Sequence, residues 1–319
     1  MPNVWTHLLF GQEALDDAGI AHWISPDSQK RMFNMGCQGP DFLFYHQFLP
    51  WQRNKVMNEL GSAMHNKQCG PFLLDLIDSA PKGDMLSRVY ALGFLLHHIL
   101  DRNMHPYVFV RSGFRKWDHQ RFEVLMDTHV LRAKRNIATW NTPVWKEIHT
   151  GGQFPKAMVS ALHALTGRYY PELSKRVDTR YWNDANRAMV RAQKLFHDPS
   201  GMKQLLTFKQ IEPFVYKQTP PAYDVLNEAR RPWPDPTGTG EIRTTSIWDM
   251  WEEAREDAAR AVSAAAAYWN IKEEANQDPR SVANAYETLR AAIGNRSYET
   301  GLPLEQDRPI IIEDPIWDT

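Results

Sequence analysis

The fold is decided by residues 84–105, which read Asp-Met-Leu-Ser-Arg-Val-Tyr-Ala-Leu-Gly-Phe-Leu-Leu-His-His-Ile-Leu-Asp-Arg-Asn-Met-His. Apolar residues surround the helix that this spacing predicts, so we expect the helix to be buried. Within it, His97, Asp101 and His105 follow one another at intervals of four and would share one face. The sequence therefore predicts a buried helix that presents imidazole and carboxylate groups together.

The ends of this helix are also predicted from the sequence. Asp84 follows Gly83 and is a suitable N-cap residue, because its carboxylate can accept a hydrogen bond from the first turn. Pro106 comes directly after His105 and is expected to stop or kink the helix. His105 should then lie at a helix end.

Helical patterning continues through the rest of the chain, whereas strand alternation is hard to find. The last predicted helix is rich in alanine and in Glu/Arg pairs, which is typical of a solvated helix. Residues 231–240 are rich in proline and glycine and predict a loop, with a lid as one interpretation. The segments with helical spacing are 117–138, 156–169, 180–198 and 246–275.

These patterns predict an all-α protein. We expect one mainly helical domain over residues 1–319, with a ligand-rich half at 1–140, further packed helices at 141–300 and a loop-like tail at 301–319. A small appended domain after residue 140 is the alternative.

Histidine is concentrated at one end of the chain, since nine of the twelve histidines precede residue 130. They occur there with Asp41, Asp101 and Glu123. Imidazole and carboxylate are the ligands of zinc and similar divalent ions where thiolates are not used, although iron or manganese also accept them. His119 and Glu123 repeat the spacing of His97 and Asp101, which favours a site for several metal ions over isolated ion pairs.

Composition excludes several functional classes. Lys and Arg number 37 against 38 Asp and Glu, so the net charge of -1 argues against a broad nucleic-acid footprint. The two cysteines, Cys37 and Cys69, form no CxxC pair and are expected to be buried thiols. The longest apolar stretch near the site, residues 93–100, is too short to span a bilayer, and no amphipathic membrane-docking helix is evident beside it. Because the first residues lack the features of a secretory signal, we expect a cytoplasmic protein.

Six short motifs carry the candidate ligands, in the order Thr6-His7, Gly39-Pro40-Asp41, Met64-His65, His97-x-x-x-Asp101, His105 and His119-x-x-x-Glu123. This order resembles the zinc-dependent phospholipase C family and the related single-strand-specific zinc nucleases. The similarity is closest to a bacterial branch without a signal peptide, which carries Leu-Asp-Arg and then His-Pro-Tyr, here residues 100–102 and 105–107. The resemblance covers about the first 130 residues well. It implies an all-α fold in which a cleft holds up to three zinc ions.

The resemblance also implies a role for each ligand. Asp101 would bridge two ions, the first completed by Asp41, His65 and His97 and the second by His7. The third ion would be held by His105, His119 and Glu123. Family members use the backbone of an N-terminal tryptophan as a further ligand, whereas this chain begins Met1-Pro2, so the Pro2 amine is the candidate for that position.

Two other histidines are assigned to supporting roles. His46 competes with His65 for one ligand position; we favour His65 and expect His46 to lie in the second shell or to face substrate. His98 points about 100° away from His97 on the helix, so packing or a supporting hydrogen bond is expected rather than ligation.

The predicted function is therefore hydrolysis of a phosphate ester by a zinc-bound hydroxide, with phospholipase C-like phosphodiesterase activity. Asp41 would orient the attacking water or act as its base. The expected substrate is a small molecule or a lipid headgroup ester. Two alternatives stay open: a metal-stabilised helical binding protein without catalysis, and a soluble nucleotide or nucleic-acid phosphodiesterase.

Overall fold

A single long helix, α5 (Met85–Ser112), runs through the centre of the molecule in the computed structural model, which describes residues 3–274 and 278–318. The helix begins as predicted, because the Asp84 carboxylate accepts a hydrogen bond from the backbone N–H of Ser87 at 3.1 Å. From Ser87 onward almost every residue of α5 is buried. The expected Pro2 ligand lies outside the described residues.

The all-α prediction is confirmed, since twelve α-helices and only one two-stranded sheet occur in the described residues. The helices other than α5 are α1 (Val4–Asp17), α2 (Asp27–Gly36), α3 (Val56–Asn66), α4 (Cys69–Asp78), α6 (Asp118–Arg135), α7 (Lys156–Tyr169), α8 (Pro171–Ser174), α9 (Arg180–Phe196), α10 (Met202–Leu206), α11 (Ile247–Glu273) and α12 (Pro279–Ile293). The four segments with helical spacing correspond to α6, α7, α9 and α11.

Helix α5 does not stop at Pro106: it is continuous to Ser112, and His105 lies inside it, so the expected helix end at His105 is wrong. Proline removes only one backbone donor, and that loss leaves the carbonyl of Arg102 without its usual partner. The buried apolar residues on both sides of Pro106 outweigh this cost: Met104, Tyr107, Val108 and Val110 are all inaccessible to solvent.

Helix α2 approaches α5 so closely that only glycine fits at the crossing. A Cβ atom on Gly93 would lie 2.5 Å from the carbonyl oxygen of Phe33, and one on Gly36 would lie 2.3 Å from the carbonyl oxygen of Tyr90. Helix backbones can meet at such short distances only where side chains are absent. This contact places the residues that follow α2 beside the histidines of α5.

Helix α11 is not the solvated helix that its composition suggested. Its alanines form a buried face, since Ala254, Ala258, Ala261 and Ala265 are all inaccessible. The small side chains allow α11 to pack against α5 and α12, while its charged residues occupy the opposite face. Because α11 and α12 share the core with α5, we propose that the chain is one domain.

The Pro/Gly-rich segment at 231–240 is a loop that contributes one strand of a short hairpin. Strand β1 (Trp233–Pro234) pairs antiparallel with β2 (Ile242–Arg243). Trp233 is buried and its ring packs edge-on against Tyr107 at 5.3 Å. After Gly301 the described chain is irregular apart from two short 3₁₀ helices, Leu304–Gln306 and Ile316–Asp318.

Gly93→Ala should lower the free energy of unfolding by about 1–3 kcal/mol, because the new methyl group must push α2 away from α5. The measurement is equilibrium denaturation by urea. Gly167→Ala is the matched control, since Gly167 is exposed in α7 and an added Cβ would meet only the Ser174 hydroxyl at 3.6 Å. That change should stabilise the protein by up to about 1 kcal/mol. Equal losses in both variants would contradict the close-packing argument.

Candidate metal centre

Eight side chains form three adjoining groups, and within each group the potential ligand atoms lie within 4.8 Å of one another. The groups are His7, His97 and Asp101; Asp41, His65 and His97; and His105, His119 and Glu123. These eight residues are the ones predicted as ligands from the sequence. Their grouping differs from that expectation in two respects: His97 belongs to two of the groups, whereas Asp101, expected in two, belongs to one.

Asp101 occupies the centre of the arrangement. Its Oδ1 lies 3.2 Å from His7 Nε2, and its Oδ2 lies 3.0 Å from His97 Nε2. The rings of His7 and His97 stack with centroids 4.2 Å apart. The two oxygens of this fully buried carboxylate thus face different imidazoles, as a carboxylate that bridges two ions would require.

Backbone carbonyls fix the orientation of three of the imidazoles. Nδ1–H of His65 donates to the Gly61 carbonyl at 2.7 Å. His97 donates in the same way to Cys37 at 3.1 Å. For His105 the acceptor is the carbonyl of Tyr298, at 2.8 Å. A carbonyl can only accept, so each ring carries its proton on Nδ1 and keeps a lone pair on Nε2.

Burial keeps two of the imidazoles in the neutral state that metal ligands need. It lowers the pKa of His7, and it lowers the pKa of His105 well below the ordinary value, so both are neutral at neutral pH. Burial opposes ionisation of Asp101, but the imidazoles of His97, His105 and His7 hold the pKa of that carboxyl well below its usual range. His65 differs, since burial lowers its pKa while the neighbouring Asp41 carboxylate, 3.1 Å from its Nε2, raises that pKa overall.

The third group lies where α5 and α6 meet. His119 Nε2 is 2.6 Å from Glu123 Oε1, one turn along α6. The His119 ring packs against His105 with centroids 5.8 Å apart. Glu123 is buried, whereas the His119 side chain keeps 23% of its surface exposed. This group is therefore the most accessible of the three.

The donor set fits zinc. Several of its buried atoms make no hydrogen bond to the described residues, which is costly for polar groups inside a protein unless an ion occupies the space between them. The atoms are both oxygens of Asp101, Oδ1 of Asp41, both ring nitrogens of His7, and Nε2 of His97 and of His105. Imidazole nitrogens and carboxylate oxygens are suitable zinc ligands in the absence of thiolate.

His46 and His98 lie outside the three groups. His46 is buried and packs against the Tyr181 ring at 4.7 Å, away from Asp41. His98 shares a hydrogen bond of 2.9 Å between its Nε2 and the Arg296 carbonyl. Burial lowers the pKa of His98 to about 3, so its ring is neutral and donates this bond. The preference for His65 over His46 thus agrees with the geometry.

Two residues that position the candidate ligands were not predicted from the sequence. Asp127, two turns beyond His119 on α6, accepts hydrogen bonds from the backbone N–H groups of Trp5 and Thr6 at 3.0 and 2.9 Å. It therefore holds the start of α1, and with it His7, against α6. Burial raises the pKa of Asp127 to about 6, so the carboxyl is ionised at neutral pH. Its i+4 spacing from Glu123 was the available signal.

Tyr298 is the second residue that positions candidate ligands. Its backbone N–H donates to the His65 carbonyl at 3.0 Å and its carbonyl accepts from His105, while its ring packs on His65 at 5.0 Å and on His98 at 4.4 Å. Nothing in the local sequence marks this residue, because its role depends on contacts with distant segments.

Part of the centre lines a cavity of about 1280 Å³. Five of the eight grouped residues line it: Asp41, His65, His105, His119 and Glu123. One wall is apolar and largely aromatic, formed by Phe44, Tyr45, Phe48, Phe109, Phe196 and Phe214 among others. The loop 231–240 contributes no lining residue to this cavity. Its buried Trp233 instead ties the loop to α5.

Gly39→Ala should weaken zinc binding by about 10–100-fold, because it disturbs the position of a ligand. A Cβ atom on Gly39 would lie 2.1 Å from Cδ2 of His97. Gly19→Ala is the control: Gly19 also has a positive φ, but an added Cβ would meet nothing within 4 Å. Competition with a chromophoric chelator measures both affinities, and equal weakening in the two variants would refute the steric explanation.

Comparison with known families agrees with this geometry. A sequence model of zinc dependent phospholipase C matches residues 6–179, which are 174 of the 319 residues and contain all eight grouped side chains. Comparison with curated proteins and with solved structures finds no match. No helix in the described part of the chain combines the length and apolar character needed to cross a bilayer. On the order of its ligands, its helical fold and this match, the chain belongs to the zinc-dependent phospholipase C family.

Proposed function

We propose that the protein is a zinc-dependent hydrolase of phosphodiesters with phospholipase C-like activity. The observation that carries this proposal is that two of the three ligand groups contribute side chains to the lining of a large cavity. Ions that served only to stabilise the fold would be enclosed by their ligands, whereas catalytic ions need a face open to substrate.

We assign the ligands as follows. Asp101 would contribute to two ion sites, one with His7 and the other with His97, His65 and Asp41. The third ion would be held by His105, His119 and Glu123. Support for the bridge comes from the distances of 3.2 and 3.0 Å that separate the Asp101 oxygens from His7 and His97.

Zinc held in this way lowers the pKa of a coordinated water and neutralises negative charge that develops on a phosphoryl group. The protein supplies orientation and proton transfer. Asp41 lies at the boundary between the ligands and the cavity, with 14% of its side chain exposed and Oδ1 at 3.1 Å from His65 Nε2. We assign to its carboxylate the orientation of the attacking water, and the acceptance of its proton.

The cavity favours an ester that is part polar and part apolar. Its volume of about 1280 Å³ exceeds that of a pocket for a typical small ligand, about 300–1000 Å³. The lining joins the ligand side chains to the aromatic wall, whose Phe44 and Phe109 rings pack against His65 and His119. A lipid phosphate ester has this division, with the phosphate at the ions and the apolar part along the wall.

Asp101→Asn should reduce the zinc content from about three ions per chain to about one, because the neutral amide cannot bridge two dications. Elemental mass spectrometry of untagged protein measures this. Asp75→Asn is the control, since Asp75 is also partly buried but pairs with Arg168 and Tyr169 outside the ligand groups. Full zinc content in Asp101→Asn would exclude the bridging role.

Chelation by EDTA should reduce hydrolysis of a phosphatidylcholine substrate by at least about a hundredfold while leaving most of the helical circular dichroism intact. Added zinc should restore the activity. Loss of helicity without any prior hydrolysis would instead identify structural ions in a binding protein. If the protein hydrolyses a dinucleotide in preference to every lipid tested, its substrate is a nucleic acid and not a lipid, while the proposed metal chemistry stands.

A further inference from the structure

Exposed apolar side chains are concentrated around the mouth of the cavity. Nine large hydrophobic residues of the described chain are well exposed, and seven of them lie in three short segments. These seven, which we call the apolar rim, are Trp51, Phe114, Trp117, Met202, Leu205, Leu206 and Phe208. Exposed apolar groups scattered singly need no explanation, but a cluster of this kind marks an interaction surface.

The apolar rim is continuous with the cavity. Trp51, Phe114 and Trp117 line its entrance directly. In the third segment Thr207 and Gln210 line it, and the neighbouring Leu205, Leu206 and Phe208 are 74%, 72% and 88% exposed. A partner on this surface would therefore sit over the opening through which substrate reaches the ligand groups.

The structure holds the third segment in place. The Asp198 carboxylate accepts a hydrogen bond from the backbone N–H of Gln204 at 2.8 Å, and Lys203 Nζ donates to the carbonyls of Lys194 and His197 at 2.7 Å each. Phe208 has a left-handed φ of 50°, which is unfavourable for an aromatic residue. The exposure of its ring is thus built into a fixed turn.

The segments that carry the apolar rim contain basic residues but no acidic ones. Residues 48–57, 113–117 and 199–211 each contain two basic residues and no Asp or Glu, a total of six cations in a chain whose net charge is -1. The cations are Arg53, Lys55, Arg115, Lys116, Lys203 and Lys209. Aromatic and aliphatic side chains interspersed with Lys and Arg, without carboxylates, match the boundary between headgroups and acyl chains of an anionic bilayer.

We propose that the apolar rim is a docking surface for an anionic lipid bilayer. The apolar side chains would enter the acyl boundary while the basic residues contact the headgroups, which places the cavity against the membrane. The sequence showed no amphipathic docking helix, because the surface is assembled from three separate segments. The inference rests on the proposed function for its purpose, the delivery of lipid, but docking itself requires no hydrolysis.

The experiment is co-sedimentation of the zinc-loaded full chain with vesicles of phosphatidylcholine, with and without phosphatidylserine. Binding should be stronger to the vesicles that contain phosphatidylserine. The Leu205→Ser/Phe208→Ser double variant should lower the partition coefficient at least about tenfold. The control is Ile242→Ser/Ile311→Ser, which removes the two exposed hydrophobic residues that lie outside the rim and should leave binding unchanged.

A second double variant tests the contribution of the basic residues. Arg53→Gln/Lys209→Gln should weaken binding to phosphatidylserine vesicles severalfold and leave binding to pure phosphatidylcholine unchanged. Zinc content and melting temperature verify that each variant is folded.

Absence of vesicle binding, or equal losses in the rim and control variants, would overturn the proposal. If the protein instead binds no vesicles but forms a dimer that the Leu205→Ser/Phe208→Ser variant does not form, the apolar rim is a protein interface and the docking proposal is overturned. Vesicle binding by a chain that hydrolyses no ester would support docking and reject the proposed function. Hydrolysis of a soluble phosphodiester without vesicle binding would support the proposed function and reject docking.

Discussion

The buried carboxylate of Asp101 is the constraint on which the rest of the structure depends. An isolated carboxylate in the centre of a helical protein carries a large desolvation cost. Here the cost is offset by imidazoles on two sides, at 3.2 Å for His7 and 3.0 Å for His97, and further by any cation that those groups hold. Segments packed around Asp101 contribute ligand candidates, such as His7, and groups that orient them, such as the Cys37 carbonyl.

Small residues allow those elements to come close enough. The crossing of α2 with α5 at Gly36 and Gly93 brings the next turn, which contains Gly39 and Asp41, onto the histidine face of α5. The Cys37 carbonyl then reaches Nδ1 of His97 at 3.1 Å. A larger residue at either crossing position would separate the first ligand group from the second, so close packing and metal chemistry depend on the same contact.

The sequence predicted the parts of this arrangement that are local. Intervals of four residues identified His97 with Asp101 and His119 with Glu123, because helical geometry alone brings such pairs together. The course of α5 past Pro106 was not predicted, since burial of the residues around it is a tertiary effect. The hydrogen-bond acceptor of His105 could not be predicted for the same reason, because the Tyr298 carbonyl lies 193 residues further along the chain.

The contacts of Tyr298 also bear on where the functional unit ends. The family match stops at residue 179 and contains all eight grouped side chains, yet the carbonyls of Arg296 and Tyr298 accept hydrogen bonds from His98 and His105. These carbonyls are held in place by the helix α12 that precedes them and by Gly301, where a Cβ atom would lie 2.2 Å from the Arg102 carbonyl oxygen. The C-terminal helices are therefore part of the metal centre in a physical sense, because without them His105 loses the bond that fixes its proton on Nδ1 and directs Nε2 toward the ligand group.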